Sequence, residues 1–345
     1  MKKGTAGPPS FSDSRLRTID TCLRQYYYTY HNKKRDAEVL NPDTFKGIFL
    51  HRMIEKCWVT QGPGKLRKRN ISGRDSYIHS VEGYFKRYLS DGYIRKVKVG
   101  WENKEDKWKF LYKEAKEILS MYYHLSDAEG PPLAVEVPFK AKINNNEFFV
   151  GVIDEIRLKR NGFGLKIRDH KYYPGGLSED HLKFDHQFTL YLLVLTCDLA
   201  NYGPITREHL GLDLELAKKI AGNQILSQNI DLEYHMLSQG LKIIPVKRDL
   251  VSLEDFKSKF NLIKNKLSYA KATGNYFAER GTHCRYCPAK IRCDKDTLEG
   301  KVQSEIDFEL ESIKIDKYYM KKKKKQRNQK FIRFPKKELQ IEIKV

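Results

Sequence analysis

Two aspartates, a lysine, a glutamine and a tyrosine between Asp154 and Tyr191 have the types and spacing to do chemistry together. Asp154 interrupts the mostly apolar run 148–156, whose aromatic and β-branched residues suit a buried or half-buried strand. Arg160-Asn161-Gly162 carries the Asn-Gly signal of a tight hairpin, and residues 163–171 alternate with period two as the returning strand. That period places Leu165, Ile167, Asp169 and Lys171 on one face, so two carboxylates and an ammonium converge at one end of the hairpin. A hard divalent ion takes oxygen ligands and keeps several waters, which leaves room for a phosphate in its shell. The ion lowers the pKa of a bound water and neutralises charge building at phosphorus, and a lysine alongside orients that water or stabilises the same charge. Phosphodiester hydrolysis is the chemistry this equipment suits.

The elements that must position these groups follow in the sequence. Residues 181–195 carry Phe184, Phe188, Tyr191, Leu192 and Leu195 at helical spacing, and Gln187 and Tyr191, four apart, share one face of that helix. Their amide and phenol can touch a phosphate or hold the lysine in place. Gly151-Val152-Ile153-Asp154, Asp169-His170-Lys171 and Gln187-Phe188-Thr189-Leu190-Tyr191 together resemble the G-x-x-D, D-x-K and Q-x-x-x-Y motifs of the PD-(D/E)XK nuclease superfamily. The likeness is to its RecB-like iron-sulfur branch, which includes the CRISPR-associated single-cluster exonucleases and the AddB-type nuclease domains. It covers roughly residues 12–294. Two positions depart from the family pattern: Tyr172 follows Lys171 where Thr is common, and no proline precedes Asp154.

The resemblance extends the candidate site. A helix over 45–60 holds Gly47, His51 and Glu55 at intervals of four, hence on one side. In the family such a G-x-x-x-H-x-x-x-E helix supplies a histidine to the metal, which implies His51 as a neutral imidazole ligand with Glu55 as support. Glu136, on a strand expected over 133–143 that turns at Asn144-Asn145-Asn146, corresponds to a glutamate that assists the metal shell. The implied metal set is His51, Asp154, Asp169 and the carbonyl of His170, with Lys171, Gln187 and Tyr191 completing the catalytic group. Mn2+ or Mg2+ is the implied ion, and a histidine ligand favours manganese.

The cysteines point to a second centre. Cys284, Cys287 and Cys293 form a C-x2-C-x5-C group, and Cys22 lies more than 260 residues earlier. Three close thiolates and one distant one suffice for an iron-sulfur cluster or a zinc ion. In the RecB-like branch one cysteine before the nuclease core and three after it hold a [4Fe-4S] cluster, and the order here matches, with zinc as the alternative. Such a cluster would staple the N-terminal helix to the C-terminal segment. Cys57 and Cys197 fall in apolar helical patterns and read as core thiols.

The first helix starts near Ser12 or Ser14 and carries Leu16, Ile19, Leu23, Tyr26 and Tyr30 on one stripe. Gly, Pro, Lys and Arg mark 61–70 as a loop, with Lys65, Arg67, Lys68 and Arg69 able to line a strand channel. Helical patterns follow at 77–89 and 108–122. Residues 231–247 suggest two strands and 252–272 a helix. The expected fold is α/β, a mixed central sheet flanked by helices with a restriction-endonuclease-like core, an inserted helical subdomain and an iron-sulfur staple. The expected division is 1–60 N-terminal helices, 61–130 helical insertion, 131–250 nuclease core, 251–300 C-terminal helix and cluster segment, and 301–345 basic extension.

The 345 residues carry 65 Lys and Arg against 44 Asp and Glu, a net charge of +21, which favours a polyanionic partner and salt-dependent binding. Eleven basic residues and no acid lie in 317–337, a run suited to non-specific backbone contacts. No apolar run approaches a membrane span and the start has no apolar signal core, so the expected location is cytoplasmic. No G-x-x-x-x-G-K-[ST] motif is present, so unwinding would fall to a helicase or another subunit of a nuclease complex. The expected function is divalent-metal-dependent DNA cleavage, exonucleolytic on single strands or ends. Its rivals are a non-catalytic DNA-binding or complex-assembly subunit, and a processing endonuclease within a CRISPR-integration or recombination complex.

Overall fold

The computed structural model describes residues 10–31, 38–40, 42–68, 97–99, 103–144, 147–175, 182 and 185–298. The predicted helix 77–89, Arg69, the turn residues Asn145 and Asn146, and the basic extension 301–345 lie outside the described residues. The chain divides into two compact units, one built on Ala37–Glu254 and one on Phe11–Asp36 with Asp255–Gln340.

In the larger unit the elements run α1 (Pro42–Lys56), β1 (Trp58–Gly62), β2 (Lys65–Lys68), α2 (Lys104–Lys109), α3 (Ala115–Glu129), β3 (Ala134–Asn144), β4 (Glu147–Leu158), β5 (Leu165–Lys171), α4 (Gln187–Ala200), α5 (Leu214–Ala221), β6 (Ile230–Met236) and β7 (Lys242–Val246). The central sheet is mixed: β3 pairs antiparallel with β4, β4 with β5 and β6 with β7, while β5 and β6 are parallel. The parallel step requires a crossover, which α4 and α5 supply. Along β4 and β5, alternate residues face opposite sides. One side meets α4, where the Phe188 and Tyr234 rings lie 4.5 Å apart. On the other side, the α3 residue Tyr122 donates from its hydroxyl to Glu155 at 2.6 Å. This is the expected α/β architecture of a mixed sheet flanked by helices.

Several boundaries differ from the sequence reading for physical reasons. α1 ends at Lys56 rather than near residue 60, and the supposed loop 61–70 contains a short hairpin, β1 with β2. Val59 and Thr60 are β-branched, and Pro63-Gly64 makes the turn; Gly64 has φ +65°, and a side chain there would strike the Leu210 carbonyl. The helix expected over 108–122 continues to Glu129, passing through a π turn at Phe110–Glu114. α4 begins at Gln187, where the Asp185 carboxylate accepts from the Gln187 amide at 2.8 Å and closes a local turn; residues 181, 183 and 184, with Phe184 of the expected helix, lie outside the described residues. Cys57 lies in a buried cluster with Phe49, Met53, Trp58 and Tyr122, as a core thiol should. Tyr172, one of the departures from the family pattern, joins that cluster and donates to Glu114.

The smaller unit opens with helix Asp13–Thr21, capped by the Ser12 hydroxyl accepting from the Arg15 amide at 3.2 Å. Where one continuous stripe was predicted, the helix stops at Cys22, whose backbone is extended (φ −167°), and resumes as Leu23–Tyr26 and a π turn Tyr27–His31. The cause is tertiary: the Arg24 amide donates at 3.0 Å to Phe277 in the distant second segment. Lys266 likewise donates to the Asp20 carbonyl at 3.0 Å, and Phe11 meets Phe260 edge to face. Helix Leu250–Thr273 corresponds to the expected 252–272, and a 3-10 turn Thr282–Tyr286 and helix Lys290–Leu298 follow.

Candidate active site and cysteine pocket

The pairing of β4 with β5 runs from Leu158 against Leu165 to Glu155 against Arg168 and stops there. Beyond that point the two strands part, and the candidate residues occupy the opening. Asp154 follows directly on β4. Gly151 earlier on that strand faces Phe139 across the ladder, and a Cβ on it would come within 2.6 Å of that ring. Phe139 in turn packs edge to face on Tyr191 of α4, so the motif glycine permits the contact that seats the Q-x-x-x-Y helix. Glu136 lies opposite Asp154 on β3 with φ +49°, a left-handed backbone uncommon outside glycine and a type of strain that clusters at functional sites.

His51 reaches this opening from α1. Its Nδ1 lies 3.4 Å from Asp154 Oδ2 and 3.9 Å from Glu136 Oε1, while its Nε2 lies 2.7 Å from the His170 carbonyl oxygen. His51, Glu136 and Asp154 offer ligand atoms all within 4.8 Å of one another, a grouping able to hold a metal ion. Asp169 is linked into the same site: its Oδ2 pairs with Lys171 Nζ at 2.7 Å and its Oδ1 accepts from Gln187 Nε2 at 2.9 Å. Lys171 donates to Gln187 Oε1 at 2.8 Å, Gln187 Nε2 also lies 2.6 Å from the Tyr191 hydroxyl, and that hydroxyl donates to the Val152 carbonyl at 2.6 Å. The His170 amide donates to Asp154 Oδ2 at 2.8 Å, so its peptide touches Asp154 through N–H and His51 through C=O. Glu55 stands apart on α1, paired with Arg52 at 3.1 Å.

Burial and neighbouring charges oppose each other across this site. Burial pushes the His51 imidazole down, but Asp154, Glu136 and Asp169 outweigh it and raise the ring to about 9. Burial pushes Asp169 up to about 7, against the pull of Lys171 and with the push of Asp154. Lys171 is held charged against burial by Asp169 and Asp154. Thus the protonated ring stands among carboxylates where a metal would compete with its proton. A metal-binding His51 must lose that proton, so the Mn2+ dissociation constant measured by titration calorimetry is expected to fall by roughly tenfold per pH unit from pH 7 to about 9. The metal-free protein follows the same sign. The raised His51 value stabilises fully below 6.5 and is lost toward about 9, and ionising the raised Asp169 costs stability between 3.8 and about 7. Thermal stabilisation by Mn2+ should therefore grow with pH; a pH-independent affinity would remove His51 from the ligand set.

Sequence reasoning passed over the reverse face of the same strands. Glu155, Arg157, Arg168, His170, Glu233 and His235 are buried there, joined from α3 by Tyr122 and Glu129. The signal available was a charge at every second position, Glu155 and Arg157 on β4, and Lys166 and Arg168 on β5, in strands otherwise read as apolar on that side. Asp185 was also missed; its charge helps to keep Lys171 protonated.

In the smaller unit, Cys22, Cys284, Cys287 and Cys293 line one pocket with Arg280 and His283. Burial raises the Cys287 and Cys293 thiols, and the other thiols of the set raise them further. The four cysteines line one space, while the grouping close enough to hold a metal ion among the described residues is His51, Glu136 and Asp154. Cys197 is half-buried in α4, and burial pushes its thiol up to about 11.

The model of the PD-(D/E)XK nuclease superfamily matches residues 10–294, and the chain belongs to that superfamily. Membership implies metal-dependent nuclease activity. No curated protein matches the chain. Among the described residues no helix is long and apolar enough to cross a membrane.

Proposed function

We propose that the protein is a deoxyribonuclease of the RecB-like iron-sulfur branch, an exonuclease acting on single-stranded DNA or DNA ends. The observation that supports this best is the continuous set from His51, Glu136 and Asp154 through the His170 peptide to Asp169, Lys171, Gln187 and Tyr191. His51, Asp154, Asp169 and the His170 carbonyl would hold Mn2+ or Mg2+, with Glu136 in support. When bound, the ion supplies an activated water and neutralises charge at phosphorus. Lys171, held by Gln187, would orient the attacking water and stabilise charge building at phosphorus; Tyr191 holds the Gln187 amide, which is thereby shared between Asp169 and Lys171. The net charge of +21 and the basic run 317–337 support DNA as the partner. The exonucleolytic reading rests on the resemblance of the motifs to that branch.

The test is cleavage of end-labelled single- and double-stranded DNA with Mn2+, Mg2+ or EDTA. Metal-dependent release of the label in mononucleotides or short fragments supports the reading, and the labelled end gives polarity. Retained binding without cleavage under any metal would favour an assembly subunit. The four-cysteine pocket is assigned a [4Fe-4S] cluster in the same proposal. Protein purified without oxygen should be brown and hold about four irons per chain. Stoichiometric zinc instead would overturn that assignment.

A further inference from the structure

The His170 peptide is unusual in what holds it. On the β4 side the strand ladder has ended at Arg168, and the His170 N–H and C=O are taken by the Asp154 and His51 side chains instead of by backbone. On the β6 side the parallel ladder continues through His170 to Lys171, so the edge facing the metal group is the one that side chains alone hold. The His170 side chain enters the reverse face, where its ring hydrogen-bonds His235 and stands at ion-pair distance from Glu155. His170 Nδ1 lies 3.2 Å from His235 Nδ1, and His170 Nε2 lies 3.4 Å from Glu155 Oε2.

These contacts converge on Glu155. The Glu155 carboxylate lies against Arg157, Arg168 and the His170 ring. His170 Nε2 faces the Glu155 carboxylate, and His170 Nδ1 shares one hydrogen bond with His235 Nδ1. Tyr122 donates to the same Glu155 oxygen at 2.6 Å, and the Trp58 indole donates to Tyr122 at 3.0 Å. Arg157 and Arg168 complete the charge balance around Glu155.

Building on the proposed metal site, we infer that Glu155 and His235 are positioning residues: through the imidazole of His170 they set the orientation of the peptide that joins Asp154 to His51. The sheet thus carries a catalytic face and, one residue out of step on the same strands, a buried hydrogen-bonded face that aims it. Outer partners that orient metal ligands typically account for 10–100-fold in metal affinity.

The experiment compares full-length wild type, His235→Leu and His235→Asn. Mn2+ binding is read directly from the electron paramagnetic resonance signal of the free ion, and kcat and KM for DNA are measured across Mn2+ concentrations. Leucine removes the hydrogen-bond partner of His170 Nδ1, whereas the asparagine amide, which offers both a donor and an acceptor, can replace it. The expected result is Mn2+ binding weakened roughly 10–100-fold in His235→Leu, with KM for DNA unchanged at saturating metal and most of the affinity restored in His235→Asn. Wild-type affinity in folded His235→Leu, or an equal loss in both variants, overturns the inference. Should His235→Leu fail to fold, Tyr122→Phe removes one hydrogen bond to Glu155 at almost constant volume, and unchanged Mn2+ affinity there overturns it equally. Wild type that neither binds Mn2+ nor cleaves DNA would instead refute the underlying nuclease reading.

Discussion

Replacing Asp169 or Lys171 by alanine is expected to reduce DNA cleavage by about 10³-fold or more while leaving salt-sensitive DNA binding in place. Each contributes a charge at the point where the strands part, and the two are paired at 2.7 Å. Asp169→Asn is the cleaner variant, because asparagine retains an oxygen for the Gln187 amide and leaves the local packing intact. Lys171→Ala removes the cation closest to Asp169 and frees Gln187 from one of its partners. Gel-shift binding in EDTA, followed by cleavage on addition of Mn2+, separates the two properties. Full activity in either folded variant would remove the assigned roles, and loss of binding together with cleavage would indicate a damaged fold.

The second large effect is on stability. Arg168 is fully buried and meets Glu233 at 2.6 Å, Glu129 at 2.9 Å and Glu155 at 3.3 Å. Arg168→Met keeps volume but leaves three carboxylates without their shared cation, and removing one partner of a buried ion set typically costs ~3–5 kcal/mol. A drop of roughly 10 °C in the thermal midpoint follows for a unit of this size. Adding Glu129→Gln and Glu155→Gln to that variant should recover part of the loss, since amides need no counter-charge. Glu155 also gives the pH direction. Its carboxyl lies well below the usual range because Arg157, His170 and Arg168 overcome the burial penalty. Its contribution is therefore present above the unfolded value and is lost as pH falls below about 4.5, which adds to acid unfolding. A midpoint unchanged by Arg168→Met would show that the buried charges contribute nothing to the fold.

The catalytic half of the molecule was legible because its chemistry is written in short-range order. Period two placed Asp169 and Lys171 on one strand face, a spacing of four stacked Gln187 on Tyr191, and an Asn-Gly turn joined the two strands. These relations hold wherever the segment sits, since they follow from backbone geometry alone. The C-x2-C-x5-C spacing is equally local, and the structure brings distant Cys22 to the same pocket.

Other features depended on partners far away in sequence. The first helix carries an unbroken apolar stripe, yet it stops at Cys22 because the Arg24 amide finds Phe277. The stretch 61–70 has loop composition, but residues 65–68 pair with 58–62 as a hairpin whose turn seats Gly64 against Leu210. Glu136 joins the metal group because its backbone turns left-handed opposite Asp154.

The reverse-face network was the least accessible. Glu155, Arg157 and Arg168 would ordinarily be assigned to solvent, since buried charge is expensive unless paired. Only the approach of α3, with Tyr122 and Glu129, and of β6, with Glu233 and His235, makes that burial tolerable. The sequence by itself determined which residues can do the chemistry and their local spacing. Tertiary structure decided where the strands part, which carboxylates surround His51 and what holds the His170 peptide, because each of those is settled by contacts between segments that the chain brings together only on folding.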